Sequence, residues 1–351
     1  MKNLIIDKKA IKNNIAAVKN LAKGETIIAD LAGDAYGMGL LETARLLRDE
    51  GIGTFAVAEA ADAETLRSAG FTDEKLMMLR STADSQELCR LMDQNVICTV
   101  GSYDAAVAIN GIAEARHTVC EVQIKIDTGL GRYGFMASET DKIASIYRYM
   151  PNLAIVGVFS TYSESWKNKR VTLDQYEQFK DVLGKLTEMG FELGTTFICD
   201  SAALFKYNFG RLDALKIGTA FSGRVAGGKT PGLYRVGYIE AGLEEIGWFP
   251  KGHRIGSSIL RKPAKLAVVS VGYYHGFGVN RYERELGIIG LWRLRRAAVY
   301  VKVNGQRAKV VGSVGMMHTI IDVTKITCAV GDKVIMDVDP VNVKGLARLY
   351  R

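Results

Sequence analysis

The first stretch that could do chemistry is "IIADLAGDAYGMGLLETARLL". Between an apolar run and a helical pattern it sets Asp34 and Tyr36 among Gly33, Gly37 and Gly39. Glycines that follow a strand mark backbone that turns sharply or comes close to a ligand. Two later stretches, "CDSAAL" and "KIGTAFSG", offer Ser201, Gly218 and Thr219. Small residues of this kind donate a hydrogen bond or let backbone amides face an anion, so the chemistry in view is the holding of a phosphate-like group. Taken singly, such residues are ordinary at loop starts, and the opening loop alone also reads as a plain turn.

What gives these residues weight is the order of the elements around them. Apolar runs occur at "TIIADL", "TFAVA", "KLMML", "VICTV", "CEVQIKID", "LAIVGVFS", "TTFICD" and "DALKIG". Amphipathic stretches such as "LLETARLLRDEG", "SQELCRLMDQ" and "LDQYEQFKDVLGKLTEMG" lie between them. This alternation is the signature of an N-terminal (β/α)8 TIM-type barrel, in which ligands bind at the C-terminal strand ends. A doubly wound open sheet is the competing α/β architecture. In a barrel, Ser201 follows strand seven, Gly218 and Thr219 follow strand eight, and Tyr36 follows strand one on the same rim. Near Gly227 to Pro231, "AGGKTPG" reads as a linker. Beyond it "LYRVGYIEAGL", "AKLAVVSVGYY", "HTIIDVT" and "GDKVIMDV" are strand-like, and "VNGQ" marks a hairpin. The expected domains are a barrel over 1–231 and an all-β domain over 232–351, with the lead strand 3–7 packing on the latter.

Composition narrows the function. A chain of 351 residues with 48% hydrophobic and 24% charged residues is ordinary for a globular protein. The N-terminal stretch "MKNLIIDKKAIKNN" has no apolar core of a signal peptide, and no run reaches a membrane span, so the cytoplasm is the expected compartment and no membrane partner is expected. Five scattered cysteines, most in apolar runs, read as free thiols, and no Cys or His pair has metal-ligand spacing. The net charge of +8 is partly concentrated in "ERELGIIGLWRLRRAAVYVKVNGQR". A strand with a solvated basic face explains that stretch without nucleic acid, and anionic small molecules suit a basic protein at least as well.

Several of these stretches resemble the alanine racemases, pyridoxal 5′-phosphate (PLP) enzymes of fold type III. "GDAYGMGL" is similar to their "DAYGHG" loop, and "IKIDTGLGRYGF" to their "KxDTGMxRxG" segment, the most specific match. "DSAAL", "ALKIGTAFSG", "VGYYHG" and "VGSVGMMHTIIDVT" follow in the family's order. The resemblance implies that Tyr36, Ser201 and the amides of Gly218 and Thr219 cradle the cofactor phosphate. It gives Arg132 the phenolic oxygen of PLP and a part in substrate binding, with Lys125 and Asp127 in support. It makes Tyr273 one of two bases and Met316 a lining residue of the carboxylate pocket, both reaching the other subunit of a homodimer. The substrate is an amino acid.

The departures are as informative. The family's Schiff-base lysine falls at Ala32, which has no nitrogen to anchor a cofactor or exchange a proton. The arginine facing the pyridine nitrogen is Lys216, a point charge without a planar fork. Thr161 stands where the family has a histidine, and Met317 where it has an aspartate. The favoured reading is a divergent amino-acid racemase with the lysine replaced, inactive in this form. A naturally non-catalytic PLP- or amino-acid-binding paralogue, and a PLP enzyme of another reaction type, are the alternatives.

Overall fold

The computed structural model describes residues 2–227, 230–256, 258–279 and 298–351. The chain divides into two compact units, one of residues 11–234 and one of residues 1–10 with 235–351. The division falls inside the first helix.

The larger unit alternates strand and helix. After β1 (Asn3–Ile6) and α1 (Lys8–Leu21) come β2 (Thr26–Asp30), the short turn α2 (Ala32–Tyr36), α3 (Leu40–Asp49), β3 (Thr54–Val57) and α4 (Ala60–Ser68). Next are β4 (Lys75–Ser81), α5 (Ser85–Asp93), β5 (Val96–Val100), α6 (Tyr103–Ala115), β6 (Cys120–Asp127) and β7 (Phe135–Met136). The unit finishes with α7 (Thr140–Tyr149), β8 (Leu153–Phe159), α8 (Lys169–Glu188), β9 (Thr195–Phe197), α9 (Ser201–Lys206) and β10 (Ala214–Ile217). The parallel sheet runs β10-β2-β3-β4-β5-β6-β8-β9. Backbone bonds from Asp213 N to Thr196 O (3.0 Å) and Lys216 N to Cys199 O (2.9 Å) join its last strands into a ring. All eight apolar runs become strands of this barrel, and the open sheet is excluded.

Strand alternation decides what fills the barrel. Ile28, Ala56, Met77, Ile97, Phe159, Phe197 and Ala214 form one interior cluster. Two residues further on, the same face turns polar: Asp30 follows Ile28 and Lys216 follows Ala214. Gln123, on the face that also carries Lys125, is satisfied by Met78 O and Thr99 Oγ1, both at 3.0 Å. Apart from this satisfied group, the described polar residues of that face lie towards the C-terminal strand ends, where the interior opens.

The second unit is antiparallel β, apart from one parallel pairing. It comprises β11 (Tyr238–Phe249), β12 (Arg254–Ile255), β13 (Ser258–Ile259), β14 (Ala264–Val269), β15 (Tyr300–Val303), β16 (Gln306–Val310), β17 (Thr319–Asp322), β18 (Lys333–Asp337) and β19 (Ala347–Tyr350). The main sheet runs β14-β17-β16-β15-β18-β11-β1-β19, and β14 also pairs with β11. β1 lies antiparallel to β11 and parallel to β19. The hairpin at Asn304-Gly305 has both residues left-handed (φ 49° and 81°), which that turn requires. Residues 283–297 of the basic stretch lie outside the described residues, as do 228 and 229 of the linker. The rest of the basic stretch shows the expected two faces, with Val301 and Val303 buried and Lys302 and Arg307 exposed. Among the described residues the cysteines are free thiols, no helix is long and apolar enough to cross a membrane, and no group of His, Cys, Asp or Glu could hold a metal ion.

Candidate active site

The barrel unit brings together Ala32, Tyr36, Lys125, Asp127, Arg132, Ser201, Lys216, Gly218 and Thr219, all at or just beyond the C-terminal strand ends. Two loops and one helix start build the site.

The loop after β2 is a left-handed turn. Gly33, Asp34, Ala35, Tyr36 and Gly37 have φ of 62°, 57°, 53°, 56° and 77°. Three of the five are not glycine, so the conformation costs energy that its contacts must offset. Much of that compensation comes from Asp30, a buried acid that the sequence reading passed over. Its Oδ1 accepts from Ala32 N (3.1 Å), its Oδ2 accepts from Tyr36 Oη (3.0 Å), and Lys216 Nζ lies 3.6 Å from Oδ2. Asp34 Oδ1 accepts from Leu40 N (2.7 Å), tying the loop to the helix that follows. Tyr36 is laid across Gly218 so closely that a Cβ there would lie 2.6 Å from the tyrosine hydroxyl oxygen. Gly218 is thus required by close approach, not by a special φ.

Beneath Tyr36, Ser201 opens α9. Its Oγ accepts from Gly218 N (3.1 Å) and Ala220 N (3.2 Å), which leaves the hydroxyl proton to donate outward. The amide of Thr219 has no hydrogen-bond partner among the described residues. Asp200 caps the helix through Ala203 N (2.8 Å) and accepts from Ser165 Oγ (2.6 Å). These donors fit the phosphate of PLP. Ala32, on the same rim, offers no amine to an aldehyde.

The loop after β6 folds around Asp127. Asp127 Oδ1 accepts from Gly129 N (2.9 Å), Leu130 N (2.9 Å) and Gly131 N (3.1 Å). Gly129, Gly131, Tyr133 and Gly134 are all left-handed here. Gly134 admits nothing larger, since a Cβ would lie 2.8 Å from Asp127 N. The loop holds Arg132 exposed, with no ion pair among the described residues. Lys125 lies below, 4% exposed, its Nζ 5.4 Å from the Tyr133 ring centroid and 5.7 Å from that of Phe159. Burial first, then the nearby charges of Lys216 and Arg132, pulls its pKa down to about 8. Thr161 follows β8, in a segment tied down by a network in which Thr128, Ser160, Ser163 and Gln175 share hydrogen bonds.

Tyr273 and Met316 lie in the other unit, side by side. Tyr273 N donates to Gly315 O (2.9 Å), Tyr274 N donates to Met316 O (3.1 Å), and a Cβ at Gly272 would run into both carbonyl oxygens. Both side chains are more than half exposed, Tyr273 at 53% and Met316 at 56%. Asp30 escaped sequence reading because it sits in an apolar run. The available signal was its place two residues after an interior-facing isoleucine.

The alanine racemase N-terminal domain family model matches residues 6–224, and the C-terminal domain model matches residues 239–349. The chain is 31% identical over 343 residues to an alanine racemase of Clostridium tetani, covering 94% of this chain and 84% of that one. It is 26% identical over 341 residues to an alanine racemase of Methanococcus maripaludis, covering 94% and 87%. In fold it is similar to the alanine racemase of a D-cycloserine-producing Streptomyces lavendulae (TM-score 0.85, 20% identity), covering 100% of this chain and 97% of that one. Enzymes of this kind use pyridoxal 5′-phosphate. The barrel, the β domain and both domain matches agree: the chain belongs to the alanine racemase family.

Proposed function

We propose that this chain is a PLP-binding amino-acid racemase by descent that holds the cofactor by its phosphate, while Ala32 occupies the place of the family's lysine. The observation that carries the reading is the pair of donors left uncommitted among the described residues, Ser201 Oγ–H and Thr219 N–H, beside Tyr36 and Gly218. A phosphate dianion there takes charge-assisted hydrogen bonds from preset donors. Bound, the cofactor supplies an electron sink for charge developing at the α-carbon of an amino acid. Arg132, with no ion pair among the described residues, would hold an oxygen anion of cofactor or substrate. Asp127 fixes the loop that carries Arg132.

Tyr273 moves a proton at one face of the α-carbon, and Met316 lines the carboxylate side. Both belong to the C-terminal unit of a second copy, so the working form is a homodimer with shared sites. Their exposure and adjacency support this reading. At the opposite face position 32 can neither accept nor deliver a proton, so the two-base exchange is incomplete in this form.

The test is cofactor affinity. Ser201→Asp puts a carboxylate beside the phosphate and should raise the dissociation constant of PLP by at least about tenfold, roughly 1.4 kcal/mol. Unchanged affinity would place the phosphate elsewhere. Light scattering should give a dimer at micromolar concentration, and a monomer with cofactor bound would contradict the shared site.

A further inference from the structure

Helix α8 buries a stripe of Thr172, Gln175, Phe179, Val182 and Leu186, the spacing of one helical face. Gln175 is 2% exposed, and every bond of its side-chain amide goes to a loop at the barrel rim. Its Oε1 accepts from Ser163 N and Ser163 Oγ, both at 3.0 Å, in the segment after β8. Its Nε2 donates to Thr128 Oγ1 (3.3 Å), the first residue past β6. The donors fix which way the amide points. Ser163 N can only donate, so the oxygen faces it. Ser160 Oγ gives its proton to Ile126 O (2.8 Å), so it accepts from Thr128 Oγ1 (3.0 Å), and Thr128 keeps a lone pair for Nε2.

The two segments joined in this way are anchored differently. The one after β8 is held from its far side by Ser165 Oγ, which donates to Asp200 Oδ2 (2.6 Å) just before α9. The loop that carries Arg132 is gathered by Asp127, but those bonds are internal to the loop. Its end is pinned where Gly134 N donates to Gly101 O (3.1 Å), and its start at Thr128 is met by Ser160 and Gln175. The amide also packs against the next residue, since a Cβ at Gly129 would lie 3.6 Å from Nε2. We propose that Gln175 is a positioning residue for Arg132: it ties the start of the Arg132 loop to the anchored segment after β8, and so sets where the guanidinium meets an anionic oxygen of the ligand. The inference rests on the reading above that Arg132 meets such an oxygen. A leucine at 175 fills similar space but leaves Ser163 N and Thr128 without their partner, and a buried polar group in that state draws its loop towards another.

The test is a double-mutant cycle on the full chain, read as affinity for the aldehyde-free cofactor analogue 4′-deoxypyridoxine 5′-phosphate and, separately, for inorganic phosphate. Arg132→Ala should weaken the analogue on the order of tenfold. Gln175→Leu should weaken it about fivefold, and should change nothing further once Arg132 is alanine, because it acts through Arg132. Affinity for inorganic phosphate should be the same in Gln175→Leu as in the unaltered chain, since Gly218 and Ala220 are held by Ser201 and not by this network. Thr128→Val removes only the acceptor of Nε2 and should reproduce the loss; it decides the matter where Gln175→Leu does not fold. Unchanged analogue affinity in the folded variants, a loss of equal size with and without the Arg132 side chain, or a loss shared by inorganic phosphate overturns the inference and leaves the cofactor reading standing. Failure of the analogue to bind the unaltered chain overturns both.

Discussion

Two loops at the barrel rim use one device to opposite ends. Each follows a strand, each runs through left-handed residues, and each is gathered by an aspartate near the strand end. In the loop after β6, Asp127 spends its oxygens on the amides of Gly129, Leu130 and Gly131. Its cations, Lys125 and Arg132, are left without ion pairs among the described residues. In the loop after β2, Asp30 takes the Tyr36 hydroxyl and the Ala32 amide and also faces Lys216. A carboxylate satisfied by backbone leaves its neighbours' charges for a ligand. One satisfied by side chains neutralises them. The β6 loop is therefore a presenting loop, and the β2 loop is internally balanced.

The largest effect should come from removing the β6 anchor. Asp127→Ala takes away an acceptor of three amides, each such charged bond being worth about 1.5–3 kcal/mol, so urea unfolding should show a loss of roughly 3 kcal/mol or more. A loss below about 1 kcal/mol would mean that the loop holds itself without the carboxylate.

The second prediction sets one glycine of each loop against the other. Gly134 has φ 106°, and a Cβ there would lie 2.8 Å from Asp127 N; Gly33 has φ 62° and nothing within 4 Å. Gly134→Ala should therefore cost about 3 kcal/mol and Gly33→Ala only about 1 kcal/mol. Equal costs would remove the steric distinction between the loops.

Such contrasts show what was legible beforehand. The eight strands were, because a buried parallel strand reads as a short apolar run and the helices between show their own period. The hairpin at Asn304-Gly305 was legible from a residue pair that tolerates left-handed backbone. The left-handed run through Asp34, Ala35 and Tyr36 was not, since non-glycine residues reach that region only when tertiary contacts hold them there. Asp30 was hidden for a related reason. Its role depends on Lys216, which is far away in sequence and lies on the neighbouring strand only once the barrel closes. The tyrosine and methionine at 273 and 316 were found by resemblance, and their adjacency comes from backbone bonds that no spacing rule foretells.

Smaller in size is the effect of unbalancing the β2 loop. Asp30→Asn removes an anion near the proposed phosphate cradle and frees Lys216. 4′-Deoxypyridoxine 5′-phosphate, which keeps the phosphate of the cofactor and lacks its aldehyde, should then bind about fivefold more tightly, roughly 1 kcal/mol. Weaker binding would show that Asp30 orders Tyr36 more than it repels the phosphate.

The last contrast is a pH trend. Lys125 is held at about 8 in the folded chain, below the ~10.4 of an unfolded lysine. Below pH 8 its buried charge destabilises the fold in full. Between that point and the unfolded value the folded state sheds its proton first, so stability rises with pH. Lys125→Met lacks this penalty, and its advantage over the unaltered chain should shrink between pH 7 and pH 10. A constant difference would mean that Lys125 titrates as an exposed amine.

The central claim, that Ala32 stands where a racemase site would carry its amine, is tested most directly by Ala32→Lys with PLP in deuterated water, across a panel of amino acids. The account predicts a borohydride-reducible link at position 32 together with exchange of a substrate α-hydrogen for deuterium. A link at position 32 with no exchange for any amino acid in the panel would contradict it.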